Sequence, residues 1–291
     1  MTAVLLAASD PIAHVADRTL FHSGWLVVTN HMVMLVLAAL LMLIVFPLIT
    51  RPYREGWLVP TGTRNLFEAI LMYLREDVVR PVLGDDTDRF IPFIWTLFFF
   101  ILVNNLLGLL PLEALTGLIF AGHGFGGTAT ANIYVTATLA IVAFLVIQVS
   151  GIRANGPVKY LSHFLGGAPI YMAPVMVVVE FIGMLVKPFA LCIRLFANMS
   201  AGHIMLAVLV GFVAAAASAM GTAGGIAVGI PVVLGSTAIM CLELFVAFLQ
   251  AYIFAFLTSL FIGQLVVHEH EEHHEEGAHH GEGHPAVKAA H

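Results

Sequence analysis

Charge is scarce in this chain. Of 291 residues only 10% are Asp, Glu, Lys or Arg, against 60% apolar, a balance that excludes the ordinary soluble class. Between Gly167 and Val267 the formally charged residues are Glu180, Lys187, Arg194 and Glu243 and no others. Cysteine is scarcer still. Cys192 and Cys241 both lie in apolar segments, where a thiol behaves as a small hydrophobe, so neither a disulfide framework nor a cysteine metal motif is supported. No phosphate-cradling glycine loop stands between a strand and a helix, so no nucleotide site is expected. Residues 1–8 are too short and lack the cationic start of a cleavable signal, so the first span should act as the insertion signal. No repeat of the kind that marks an inverted-topology transporter is evident. The formal charge of −6 says little, because six of the eighteen acids fall after His268.

What remains reads as an all-α polytopic membrane protein with about five crossings, at 25–49, 90–112, 131–149, 168–217 and 230–267, after an N-terminal segment at 1–24. Between the first two spans, 51–89 carries six arginines. There Leu66, Phe67, Ile70, Leu71, Leu74 and Val78 recur at helical spacing opposite Arg64, Glu68, Arg75 and Glu76. That pattern predicts an interfacial amphipathic helix over about 63–80, resting on the membrane surface or on partner subunits. The stretch 168–217 would be about 75 Å long as one helix, against a membrane core of about 30 Å. Lysine and arginine decide how it crosses: they are abundant in 51–89, absent from 113–130, present in 151–168 and absent from 218–230. The positive-inside rule then puts the N-terminus outside and the C-terminus inside, and makes 168–217 one inclined crossing, kinked at Pro174 and Pro188. A small-residue turn from Ala214 to Gly229 leads to the last helix, also overlong, so the two form a tilted hairpin suited to wrapping around something. The tail at 268–291, with eight histidines and six glutamates in no apolar rhythm, is expected to be disordered.

The charged residues of the hairpin carry the chemistry. An arginine at the bilayer centre costs about 2.5 to 3.5 kcal/mol on insertion scales, so its default reading is functional. Arg194 does not release its proton, but it can hold a carboxylate ionised, which suits a gate. His203, Glu243 and Glu180 exchange protons once their surroundings shift them, which suits relays along aqueous paths. Glu180, Lys187 and Arg194 are seven apart and share one helix face with Asn198 nearby, while His203 projects about 180° away. Glu243 and Gln250 are again seven apart on one stripe. Lys187 reads equally as a site residue or as an interfacial lysine with its ammonium in water. Asn104, Asn105, Asn198 and Gln250 read equally as helix glue or as site residues. His31, His123 and His163 lie at span edges or in loops, where facing ligands for a metal or haem are not expected.

Arg194-Leu-Phe-Ala-Asn198-Met-Ser-Ala-Gly-His203, preceded by Lys187-Pro188 and followed by Glu243 and Leu249-Gln250-Ala251-Tyr252-Ile253-Phe254, resembles subunit a of the F-type ATP synthases. The likeness extends to Asn104-Asn105-Leu-Leu-Gly-Leu-Leu-Pro111 and to Asn132-Ile-Tyr-Val-Thr, and so covers most of residues 30–265. It implies a non-catalytic stator subunit in a bacterial inner membrane, with ATP chemistry left to partner subunits. Those partners would be a rotating ring of c subunits, each with one membrane carboxylate, and the b subunits of the peripheral stalk. Two offset half-channels would load and unload the ring. Protons would enter past His203, Glu243, Asn198 and Gln250 and leave near Glu180, with Arg194 between the channels preventing a direct leak. Proton and sodium both stay open, because the ion-binding carboxylate belongs to the ring. No cofactor, metal or nucleic acid is implied. Two other classes fit the same residues: an autonomous ion-coupled transporter using Glu180, Arg194 and Glu243 for substrate or cation binding, and a membrane-anchored haem or quinone protein using the histidines.

Overall fold

The structure, a computed structural model, describes residues 19–23, 26–54, 62–110, 112, 116, 128–163 and 172–266. The tail at 268–291, most of the segment at 1–24, and His123 lie outside the described residues.

The first described element is an antiparallel strand pair, β1 (Thr19–Ser23) and β2 (Leu26–Thr29). Val27, Val28 and Thr29 are β-branched and favour the extended chain, so the first long helix does not begin near 25 as expected. It begins at Asn30, and α1 runs Asn30–Arg54. The Thr29 hydroxyl accepts the Met32 backbone N–H at 3.4 Å, occupying one of the free donors of the first turn.

The segment expected as a helix at about 63–80 is helical, but not uniformly α-helical. It consists of α2 (Thr63–Tyr73) and a π-helical stretch, Leu74–Val79, which leads through a short turn into α3 (Thr87–Leu109). The wider π geometry gathers Leu74, Val78 and Val79 on the core side, where all three are buried. Arg75 pairs with Asp88 at 2.6 Å and Trp95 Nε1 donates to the Leu71 carbonyl at 3.1 Å, so the segment is tied along the start of α3. Phe99 of α3 meets Phe46 of α1 at 5.0 Å and Phe67 of α2 at 5.7 Å between ring centroids, which draws the three helices together.

α4 runs Ile133–His163, well past the span expected at 131–149. Its break comes at Gly156, whose φ of 73° precedes Pro157. Proline removes an N–H and disfavours helical geometry in the residue before it, and glycine is the residue that takes up a positive φ without strain.

The last element, α5, runs Ala173–Val266 and folds back on itself at one residue, Gly221 (φ 70°, ψ −165°). The loop expected from Ala214 to Gly229 is therefore helix on both sides of a single bend. Alanine is the best helix former, so a run of small residues need not unwind. It serves instead to bring the limbs close: a Cβ at Gly225 would lie 3.0 Å from Ala217 Cβ, and one at Gly229 would lie 3.8 Å from Val213. Pro174 sits at the start of the first limb and not at a kink, since the first helical turn leaves its missing N–H unneeded. The limbs run antiparallel, joined by Asn198 to Gln250 and Lys187 to Gln264.

One face of this hairpin packs on α3 and α4. Leu191 and Leu195 of the first limb and Ala251, Phe254 and Ile262 of the second share a core with Ile94, Phe98 and Ile101 of α3 and Ala143 and Ile147 of α4. The other face leaves Val178, Phe189, Leu234 and Phe245 exposed. Among the described residues four helical stretches, Asn30–Arg51, Thr63–Leu109, Ile133–Pro157 and Pro174–Val266, are long and apolar enough to cross a membrane. The last is bent double at Gly221. The fold is that of an all-α polytopic membrane protein with one short strand pair.

Candidate functional site

Two polar clusters lie along the hairpin, one on each side of Arg194. The first surrounds a cavity of about 70 Å³ between both limbs and α4, with Glu180, Lys187, Gln264, Tyr160 and Gln148 in its wall. A single water needs roughly 10 to 15 Å³ by the same measure, so several fit. Lys187 Nζ donates to Gln264 Oε1 at 3.3 Å and lies 4.7 Å above the Phe261 ring, so its ammonium is held by the second limb. Tyr160 donates its hydroxyl proton to Gln148 Oε1. Burial, helped by the charge of Glu180, raises the Tyr160 pKa above the ordinary phenol value, so the hydroxyl stays a donor at neutral pH. Asn155 Nδ2 donates to the Leu265 carbonyl at 2.5 Å and fixes α4 against the second limb at this end.

The second cluster lies nearer the bend. Asn198 Nδ2 donates to Gln250 Oε1 at 3.1 Å across the limbs. Gln250 and Glu243, on one stripe of the second limb, are both buried, at 2% and 3% exposure. The Glu243 carboxyl lies over Gly202, in the space a side chain there would fill. Neither Glu243 oxygen, nor Gln250 Nε2, has a hydrogen-bond partner among the described residues. Leaving a buried polar group unmatched costs about 1 to 3 kcal/mol, so these atoms are suited to water and to protons in transit.

His203 faces Thr128, whose Oγ1 is hydrogen-bonded to the ring Nε2. Thr128 precedes a buried 3₁₀ turn, Ala129–Ala131, that three helices hold in place. Thr130 Oγ1 donates to Asn105 Oδ1 at 2.8 Å, Asn105 Nδ2 donates to the Ala247 carbonyl at 3.4 Å, and Ser200 Oγ donates to the Ala131 carbonyl at 3.4 Å. Beyond the turn, Asn132 Nδ2 pairs with His31 Nδ1 at 3.2 Å. Asn105 is thus a bridge between helices, whereas Asn104 donates to the Phe100 carbonyl of its own helix at 2.7 Å and leaves Oδ1 unpartnered.

Arg194 belongs to neither cluster. Leu191 and Leu195 beside it are buried, and helical phase turns Arg194 out to the exposed face next to Ile193. It has no ion-pair or hydrogen-bond partner among the described residues. The heptad row of the sequence is therefore divided: Glu180 and Lys187 share the cavity, and Arg194 stands outside it. Glu180, Arg194 and Glu243 do not form one binding pocket.

Sequence reasoning passed over Thr128, Thr130, Tyr160, Gln148 and Gln264. The alternation Thr128-Ala-Thr130-Ala-Asn132 just before an apolar span was a usable signal, since three polar residues at spacing two share one side of an extended approach. Nothing in the sequence marked the other three, because their proximity depends on where the hairpin folds back.

Residues 32–263, from α1 to nearly the end of the second limb, match the family described as ATP synthase A chain. The chain is 43% identical to ATP synthase subunit a of Chloroherpeton thalassium over 258 residues, covering 88% of this chain and 71% of that one. It is 43% identical to ATP synthase subunit a of Anaeromyxobacter dehalogenans over 249 residues, covering 84% and 59%. Against ATP synthase subunit a of Myxococcus xanthus it is 40% identical over 268 residues, covering 91% and 82%. The matched region contains both polar clusters and Arg194, and the chain belongs to the ATP synthase A chain family.

Proposed function

We propose that this chain is the stator subunit through which protons reach and leave the rotating ring of an F-type ATP synthase. The second cluster, with His203, Glu243, Asn198 and Gln250, is the inlet half-channel from outside. The cavity with Glu180 is the outlet toward the cytoplasm, and Arg194 separates them. At 1.5 Å per residue, Glu180 and His203 stand about 21 and 14 Å from Arg194 on opposite sides, an offset that requires a carrier to complete the path. Ring subunits, each bearing a membrane carboxylate, are that carrier, and ATP chemistry resides in other subunits of the complex, joined through peripheral-stalk b subunits. The N-terminus lies outside and the C-terminus in the cytoplasm of a bacterial inner membrane.

The observation that carries this reading is the exposure of Arg194 without an anion. An unpaired guanidinium on an exposed apolar helix face costs about 2.5 to 3.5 kcal/mol or more at the bilayer centre. An autonomous transporter would supply the counter-charge from its own Glu180 or Glu243, and neither pairs with Arg194. An anion from another chain meets the need. A carboxylate brought within about 4 to 6 Å of an arginine has its pKa lowered by about 1 to 3 units, enough to release a proton carried to it through lipid.

The test compares wild type with Arg194→Ala in vesicles carrying the whole complex at equal assembly, measuring acid-driven ATP synthesis and passive proton flux. Synthesis is expected to vanish while passive flux persists or rises. Undiminished synthesis would return Arg194 to a structural charge and sink the separation of channels.

A further inference from the structure

The Thr128 hydroxyl is the one group, among the described residues, that holds the His203 ring, and its placement is built from several directions. Thr128 is 2% exposed and Thr130, two residues on, is fully buried. The turn between them is fastened to α3 through Asn105, to the first limb through Ser200 and, by way of Asn105, to the backbone of the second limb at Ala247. Space for it is reserved by Gly108 of α3, where any side chain would overlap the whole Thr128 side chain. A glycine in the last turn of an apolar helix is less favourable than alanine, and this close approach accounts for it.

We propose that Thr128 is a positioning residue for proton uptake: its hydroxyl fixes the orientation of the His203 imidazole by engaging Nε2, and leaves Nδ1 as the nitrogen that exchanges protons with the rest of the inlet path. This rests on the reading of His203 as an inlet relay. A histidine ring that can turn about its side-chain bonds presents either nitrogen, and a relay works only if the accepting and donating atoms are defined. A threonine hydroxyl suits the task because it can donate to the unprotonated nitrogen or accept from the protonated one. The ring stays held in either state.

The experiment measures ATP-driven proton pumping in vesicles with Thr128→Val, Thr128→Ser and His203→Ala in the complete complex, normalised to the amount assembled. Valine keeps the shape and removes the hydroxyl; serine keeps the hydroxyl and removes the methyl group. Pumping is expected to fall at least tenfold with valine and to stay above half of wild type with serine. Should the valine variant fail to assemble, Thr128→Ala removes the hydroxyl without adding bulk, and the same tenfold loss is expected. Wild-type pumping without the hydroxyl, or equal losses with valine and serine, overturns the positioning role. If His203→Ala pumps as well as wild type, the relay reading itself fails. If it abolishes pumping while Thr128→Val does not, the relay stands and only the role of Thr128 falls.

Discussion

Gly202 shows how one missing side chain places a functional group. The carboxyl of Glu243 lies where a Cβ on Gly202 would project, so Gly202→Ala must push Glu243 out of line or separate the limbs. Overpacking of this kind costs about 1 to 3 kcal/mol, and under the proposed role of Glu243 as a relay its displacement acts on rate as well. Pumping by Gly202→Ala is expected to drop about tenfold or more at unchanged assembly. Gly183, in the same limb with nothing within 4 Å of a built Cβ, is the control, and Gly183→Ala should pump within about twofold of wild type. Equal effects at the two positions would mean that the Gly202 to Glu243 contact has no special role. At this scale the sequence was informative wherever a residue stood out chemically: Arg194, Glu180, Glu243 and His203 are conspicuous in apolar surroundings because lipid penalises them. Gly202 and Thr128 were not conspicuous. Their place in the proposed path comes from what faces them across the fold, which one-dimensional spacing does not contain.

Between residue and molecule, the decisive element is the hairpin of α5, and its geometry depends on Gly221. A φ of 70° with ψ of −165° belongs to the region open essentially to glycine, and other residues held there lose about 1 to 3 kcal/mol. Gly221→Ala is expected to lower the thermal midpoint of the solubilised complex and the yield of assembled complex. Gly235, helical with free space around it, should behave oppositely: Gly235→Ala gains up to about 1 kcal/mol of helix propensity and leaves assembly intact. If Gly221→Ala assembles with an unchanged midpoint, the bend is imposed by the packing around it and not by its own backbone. That the chain forms several long apolar helices was legible in the sequence because apolar runs are long-range signals, whereas the length of α4 was not, since it continues past 149 to His163. Nor was the position of the bend. Ala214 to Gly229 offers many small residues and several glycines, each able to turn the chain. Which one does so is decided by contacts between limbs such as Gly225 against Ala217. Likewise β-branched Val27 to Thr29 read as the start of an apolar span, where local strand preference instead delays the helix to Asn30.

For the molecule as a whole, the two faces of the hairpin have different fates. One is closed against α3 and α4, and the other presents Arg194 flanked at helical spacing by the exposed small residues Ala190, Ala197 and Ala201. Small neighbours leave the guanidinium standing clear of the surface and allow another helix to come close, as in membrane helix packing generally. A large side chain placed among them should therefore leave this chain's own packing untouched and obstruct whatever passes Arg194. Ala197→Trp, three residues from Arg194, is expected to permit membrane insertion and to abolish both ATP synthesis and ATP-driven pumping. Leu43→Trp, on α1 at a position 70% exposed, places the same indole elsewhere and should leave both activities near wild type. If Ala197→Trp turns over normally, no ring sweeps this face, and the carboxylate proposed to meet Arg194 must arrive by some other approach. If both tryptophans are harmful, the defect is one of membrane packing in general. Loss at Ala197 alone joins the exposed arginine, the small-residue strip and the two offset clusters into one moving contact.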